Sequence, residues 1–286
     1  MKIEQIVQKL DTEFDIQNHS EDLVEWAVTN ENKEYINPDF LDKKTALFSR
    51  NSESIDKVYT VVFITEEIVN AISKESNCLI ITHHHFDYFE DERGLQAISS
   101  DYLERLRQSN NSIYVAHAPL DTHKKYGTSI SLANLCKIEA VEYFYDYFGA
   151  PTALIGTIKK QSFDHFSSLV QSKIERPFLT KVQHKEYVKK IAVVAGGGDD
   201  PEILQTAFDK GCDTFLTGTV EHRWDSPPFQ DANKRFHELN KALKLNLIGG
   251  THFGTERPAM IKFTEFIKNL GLDCDYCEDY SLLNVE

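Results

Sequence analysis

A chain of 286 residues is long enough for two domains, each with a sizeable core, and 41% hydrophobic with 27% charged residues excludes a disordered polymer. A formal charge of −14 and an isoelectric point near 5.3 argue against nucleic acid or an anionic membrane as the main partner. No apolar run reaches the roughly 18 residues that span a bilayer, and five cysteines make no even disulfide set, so a cytoplasmic setting is expected.

In chain order, Ile3, Ile6, Val7 and Leu10 mark an opening helix by their three- and four-residue spacing, without the apolar core of a signal peptide. The stretch 21–54 is polar and weakly patterned. Val61–Phe63 reads as a strand, and Thr65 caps a helix with Glu66 and Glu67 in its first turn. Cys78–Thr82 is a buried strand running straight into His83, His84 and His85. Leu95, Ile98, Tyr102 and Leu106 make a helical stripe, and Ile113–Ala116 a further strand. Phe163, Phe166, Val170 and Ile174 stripe the next helix, followed by the strand Lys190–Ala195. Asp200 caps a helix whose first residue is Pro201. The strand Thr214–Thr217, a helix around Phe236, Leu239 and Leu243, and the strand Leu245–Gly249 follow. Pro258 opens a last helix carrying Met260, Phe263, Ile267 and Leu270, and Gly271 stops it.

Alternating strands and helices predict an α/β fold with mostly parallel pairing. The two series resemble each other: VVFITEEIVNAISKESNCLIITHH aligns with AVVAGGGDDPEILQTAFDKGCDTFLTGT. Each leads through a helix to a strand that ends in His-x-x-x-carboxylate, His117 to Asp121 and His252 to Glu256. The expected architecture is two linked, similar α/β domains, residues 1–127 and 128–286, with the metal site at strand ends between them and 249–286 returning to it.

Ligands at the carboxyl end of a buried strand are where open α/β sheets place their sites. Successive strand residues point to opposite faces, so an extended backbone keeps His83 and His84 from sharing one ion, and two adjacent ions would resolve that geometry. His252 and Glu256, spaced across a strand-to-helix turn, can converge on one ion. Asp121 supplies a carboxylate to offset the charge of two divalent cations held mainly by imidazoles. His117 is a further ligand or orients one. Ala195-Gly-Gly-Gly198 lacks the features of a phosphate loop and reads as a tight turn. Cys274-x-x-Cys277 has no second pair to make a zinc site. His19, His165, His184 and His237 read as surface residues, and Trp224, beside Glu221, His222 and Arg223, as part of a pocket.

Four segments together resemble the NIF-three-like proteins, also known as dinuclear-metal-centre hexameric proteins or GTP cyclohydrolase type 2 homologues. They are Leu79-Ile-Ile-Thr-His-His84, Val115-Ala-His-Ala-Pro-Leu-Asp121, Thr217-Gly-Thr-Val-Glu-His222 and Gly250-Thr-His-Phe-Gly-Thr-Glu256. The resemblance implies metal ligands at His83, His84, Asp121, His252 and Glu256, two divalent ions (iron, zinc, manganese or nickel) and a homo-hexamer with the metal sites facing an inner cavity. Thr219 stands where the family usually has an acid, and His85 where it often has proline or glycine. The functional expectation is a metal-dependent hydrolase, of cyclohydrolase or phosphoesterase type, acting on a small molecule such as a nucleotide or another phosphate-containing metabolite. Glu256 and Asp121 would handle water, and His117, His123 or His222 would shuttle a proton. The competing expectation is a non-catalytic oligomeric metal-binding or regulatory module. Neither involves nucleic acid or a membrane.

Overall fold

The computed structural model describes residues 1–19, 27–147 and 150–284. The chain divides into two units: residues 1–89, 95–123 and 260–281 form the first, and 90–94, 124–259 and 282–286 the second.

In the first unit, helix α1 (Ile3–Glu13) buries Ile3, Ile6 and Leu10, the predicted stripe. Of the weakly patterned stretch, residues 21–26 lie outside the described residues. The remainder contains α2 (Pro38–Lys43), capped by the Asn37 side chain, and the strand β1 (Ala46–Ser49). Strand β2 spans Lys57–Val61, displaced from the expected Val61–Phe63. Its register on β3 (Cys78–Thr82) runs from Lys57↔Cys78 to Val61↔Thr82, and Lys57 and Tyr59 at the strand's start mask it in an apolar scan. Between them lies α3 (Glu66–Ile72), where the Thr65 hydroxyl accepts from Ile68 N as its cap.

The stripe from Leu95 to Leu106 is not one helix. Leu95–Gln96 is a short strand, β5, paired with β4 (Asp87–Tyr88), and helix α4 (Ser100–Gln108) starts only after the Ser99 cap. Strand β6 (Ser112–Val115) follows. With β13 (Asp273–Tyr276) the sheet has the order β1-β6-β3-β2-β13, parallel throughout except for β1. Ile68, Val69, Ile72, Ile80, Leu103, Leu106 and Ile113 build the core on one side of it.

The second unit adds a hairpin that sequence patterning left unassigned: β7 (Glu139–Tyr147) and β8 (Ala150–Ser162), preceded by α6 (Thr128–Leu135). Helix α7 (Phe163–Lys173) and strands β9 (Thr180–Val182) and β10 (Tyr187–Val194) come next. Helix α8 (Pro201–Asp209) is capped as expected, Asp200 accepting from Glu202 N and Ile203 N. Strand β11 (Thr214–Thr217), helix α9 (Pro227–Leu243) and strand β12 (Asn246–Gly249) complete a sheet of order β7-β8-β10-β11-β12-β9. Helix α10 (His252–Asn269) begins in this unit, and its residues from Met260 onward belong to the first.

The chain is therefore α/β, and its units share a motif. In each, three consecutive parallel strands (β2, β3, β6 and β10, β11, β12) lie side by side, with an antiparallel strand (β1 or β9) against the third. Parallel strands joined by helices deliver their carboxyl ends to one edge of the sheet, and there the chemistry-bearing segments leave each unit.

Asn111 holds the first unit's helix–strand junctions. Its Oδ1 accepts from Cys78 N at 2.8 Å, and its Nδ2 donates to Ile72 O and Glu75 O at 3.1 and 3.0 Å, the first two bonds buried and the last part-buried. Asn111→Ala strips a buried amide and two carbonyls of these partners, and urea unfolding is expected to show a loss of about 3 kcal/mol. A midpoint equal to wild type would mean that water replaces the side chain.

Candidate metal centre

In the first unit the ladder of β3 ends at Thr82, and the chain turns. His83 N and His84 N, successive amides, both donate to the strand leaving β2, at Val61 O (3.1 Å) and Val62 O (3.0 Å). An extended strand offers a given neighbour only alternate residues, so this bonding marks the end of the pleat. Thr82 Oγ1 locks the turn by donating to Val62 O and His84 O. The expectation that His83 and His84 face apart is therefore corrected. Their ring centroids stand 4.2 Å apart, and the ligand atoms of His83, His84 and His117 all lie within 4.8 Å of one another.

Each ring is held from behind. His83 is fully buried, and its Nδ1 lies 2.9 Å from Ala116 O. That carbonyl can only accept, so it fixes Nδ1 as the protonated nitrogen and leaves the Nε2 lone pair for a ligand's role. Nε2 stands 3.5 Å from Asp121 Oδ1. The His84 ring stacks on Phe63 (4.6 Å, 9°) and on Phe86 (4.6 Å, 29°). His117 precedes, and Asp121 ends, the four-residue helix α5 (Ala118–Asp121), whose turn closes by Asp121 N donating to His117 O at 3.0 Å.

His85 takes no part in this cluster. It packs edge-on against Phe40 and Phe86, and burial pushes its imidazole down to about 3, helped by the nearby His117 and Lys44. It is a neutral wall. His123, a sequence candidate for proton transfer, is engaged by α1: its Nε2 lies 3.2 Å from Glu13 Oε1, and its ring stands edge-on to Phe14.

In the second unit the expected helix start at Pro258 is corrected to His252. Proline at 258 imitates a first helical residue, but the true start is made by Thr251. Its hydroxyl accepts from Gly254 N (3.1 Å) and its carbonyl from Thr255 N (3.2 Å). His252 and Glu256 thus sit four residues apart on one helical face, Nε2 to Oε1 at 3.1 Å, with Glu256 only 3% exposed. Thr251 adopts φ +65°, a conformation costing a β-branched residue roughly 1–2 kcal/mol, which the surrounding hydrogen bonds must offset.

The glycine turn after β10 is the wall behind this pair. A Cβ on Gly196 would overlap the Glu256 carboxylate, and one on Gly218 would overlap Gly196 O, Thr255 Oγ1 and Thr251 O. Gly196 N donates to Thr255 Oγ1 (3.0 Å), and Thr219 N to Gly196 O (3.0 Å). Thr219 is thus placed by its backbone. In the repeat, Gly218 and Thr219 follow β11 as His83 and His84 follow β3, and the room that imidazoles fill in one unit is closed by backbone in the other.

Sequence reasoning read the three glycines as a turn and missed what the turn packs against. It also missed Asp199 and Asn233. His222 Nδ1 lies 3.6 Å from Asp199 Oδ2, which accepts from Asn233 Nδ2 at 2.8 Å. Of the remaining histidines, His165 and His184 are exposed, while His237 Nε2 reaches Val220 O at 2.9 Å.

Residues 45–277 match the family model described as Duf34/NIF3 (NGG1p interacting factor 3). The chain belongs to the Duf34/NIF3 family. Two relatives are each named GTP cyclohydrolase 1 type 2 homolog. The one from Archaeoglobus fulgidus is 28% identical over 230 residues, 79% of this chain and 85% of the relative. That from Borreliella burgdorferi is 26% identical over 215 residues, 74% and 79%. Among solved structures, a structural-genomics protein of unknown function, ybgI, superposes over 98% of both chains with a TM-score of 0.72 at 19% identity, a likeness of fold. Duf34/NIF3 membership accounts for the four sequence segments. No helix among the described residues is long and apolar enough to cross a membrane.

Gly196 and Gly211 have nearly the same backbone, φ +74° and +78°, but nothing stands within 4 Å of a Cβ on Gly211. Gly211→Ala is expected to cost about 1 kcal/mol through conformation alone. Gly196→Ala must in addition displace Glu256 and is expected to cost at least about 2 kcal/mol more. Equal thermal shifts for the two variants would show that Glu256 yields freely.

Proposed function

We propose that this Duf34/NIF3 chain is a dinuclear metal-dependent hydrolase of a small molecule, such as a nucleotide or another phosphate-containing metabolite. The observation that carries the reading is the grouping of imidazoles and carboxylates at the carboxyl ends of parallel strands in both units, with His83, His84, His117 and Glu256 buried and the ligand atoms of the first three within 4.8 Å of one another. In the proposal His83, His84 and Asp121 of the first unit and His252 and Glu256 of the second hold two divalent ions.

The donor chemistry fits such a group. Imidazoles with carboxylates suit iron, zinc, manganese or nickel. His83 already spends its Nδ1 proton on Ala116 O, the second hydrogen bond that metal-binding histidines characteristically make. Bound there, the ions would supply Lewis acidity toward a substrate oxygen and acidify water. The chain's own groups would do the rest. Asp121 and Glu256 would accept hydrogen bonds from water and orient it. His117, placed by the α5 turn beside His83 and His84, would hold or move a proton. Phe63 and Phe86 would keep the His84 ring from rotating away. A homo-hexamer in solution completes the reading.

The test compares wild type with His84→Ala and Glu256→Gln. Metal content would be measured by elemental analysis, and hydrolysis of a phosphoester and nucleotide panel with added manganese, iron or zinc. Wild type is expected to carry two ions per chain and to turn over at least one member of the panel. His84→Ala is expected to lose metal and at least about a hundredfold in rate. A His84→Ala protein that loses metal yet keeps wild-type turnover contradicts the hydrolase reading. Full metal with no turnover across the panel favours the non-catalytic module.

A further inference from the structure

We propose that the second unit carries a stacking subsite for a planar heteroaromatic ring, with Phe229 and Trp224 as its apolar face and His222 at its polar edge. The inference deepens the small-molecule reading above, and its bearing on turnover rests on that reading, but ring binding can be measured without it.

Three rings gather here. Phe229 lies near-parallel to His222 (5.6 Å, 14°) and to Trp224 (5.0 Å, 29°), and His222 and Trp224 are 6.2 Å apart. Phe229 leaves 50% of its surface in solvent. Stacked rings with an open face make a platform for another ring, because every heteroaromatic base offers a π-face.

The platform is built, not draped. Trp224 packs against the backbone of Gly94 so closely that a Cβ there would overlap its indole. Asp225 N donates to Glu92 O at 2.9 Å, and Gln230 Nε2 to Trp224 O at 3.2 Å. Phe229 sits in the first turn of α9, its amide donating to Ser226 O. Such a frame has little freedom left to lose when a ligand binds.

The polar edge supplies the independent sign of a ligand. Asn233 Nδ2 spans Asp199 Oδ2 and Val220 O, both at 2.8 Å, and Asp199 in turn faces His222 Nδ1. His222 is oriented from one side. Its other nitrogen, Nε2, is out of solvent and has no hydrogen-bond partner among the described residues. A buried ring nitrogen in that state calls for a partner, and a heterocycle lying on Phe229 brings ring nitrogens and exocyclic groups to its own edge. The placement agrees: Asp199 follows β10, His222 and Trp224 follow β11, and His252 follows β12. Ring subsite and second-unit donors thus leave consecutive parallel strands at the same edge, where α/β sheets bind small molecules.

The test reads binding of adenosine and guanosine, with ribose as the ringless probe. Trp26→Phe leaves Trp224 as the sole tryptophan, and a stacked nucleobase is expected to quench its emission saturably, whereas ribose leaves it unchanged. In that background Phe229→Leu, which keeps the apolar bulk and loses the π-face, is expected to weaken the nucleosides about tenfold to a hundredfold. Phe229→Tyr is expected to bind like the parent. Absence of saturable quenching by either nucleoside, or equal binding by the Leu variant, overturns the subsite. His84→Ala separates the two readings. Quenching retained in this variant with metal lost leaves the subsite standing whatever the hydrolase assay shows. A metal-loaded, active protein that ignores both nucleosides removes the subsite alone.

Discussion

Taking an imidazole or a carboxylate out of water is costly unless a partner offsets the loss, and this chain does so repeatedly along one kind of edge. His83, His84, His117 and Glu256 are all buried. Their backbones leave the carboxyl ends of β3, β6 and β12, where parallel strands stop and the amides of turns and first helical turns take over. Such clustering has little value for packing, since apolar side chains of the same volume would fill those places at lower cost. Each of these groups is held in place by a neighbour: the Ala116 carbonyl lies behind His83, Phe63 and Phe86 stack on His84, and the Gly196 turn packs against Glu256, and the proposed cations would be the counterweight to their burial.

The two units use one motif differently. Three parallel strands and an antiparallel neighbour recur, and both third strands lead into a helical turn bearing His-x-x-x-carboxylate. After the middle strand they diverge. The first unit has His83 and His84, whereas the second has Gly218 and Thr219, whose backbone interlocks with Gly196 and the Thr251–Glu256 turn. The loop beyond β11 carries His222 and Trp224, the residues of the proposed ring subsite.

Much of this was legible from residues alone, where local chemistry and tertiary packing agree. Thr65 and Asp200 announce their helices because a cap acts within three residues. Cys78–Thr82 and Thr214–Thr217 announce strands because both faces are buried. The misreadings have particular causes. Pro258 imitates a helix start, and the real start depends on a left-handed Thr251 that no propensity favours. Leu95 matches a helical stripe but is held by pairing with Tyr88. His83 and His84 alternate on paper, and only the bonding of both amides to the strand beside them turns the chain. The roles of Gly196 and Asn233 lie in contacts made across the fold, for which no local pattern exists.

The central proposal is that His83, His84, Asp121, His252 and Glu256 hold two divalent cations, and anomalous diffraction at the metal edge tests it most directly. Crystals of protein loaded with iron or zinc should show two peaks about 3.5–4 Å apart, bonded to imidazoles after β3 and to the His252 and Glu256 side chains alike. A single peak held by His83, His84, His117 and Asp121, with His252 and Glu256 coordinating nothing, would contradict it.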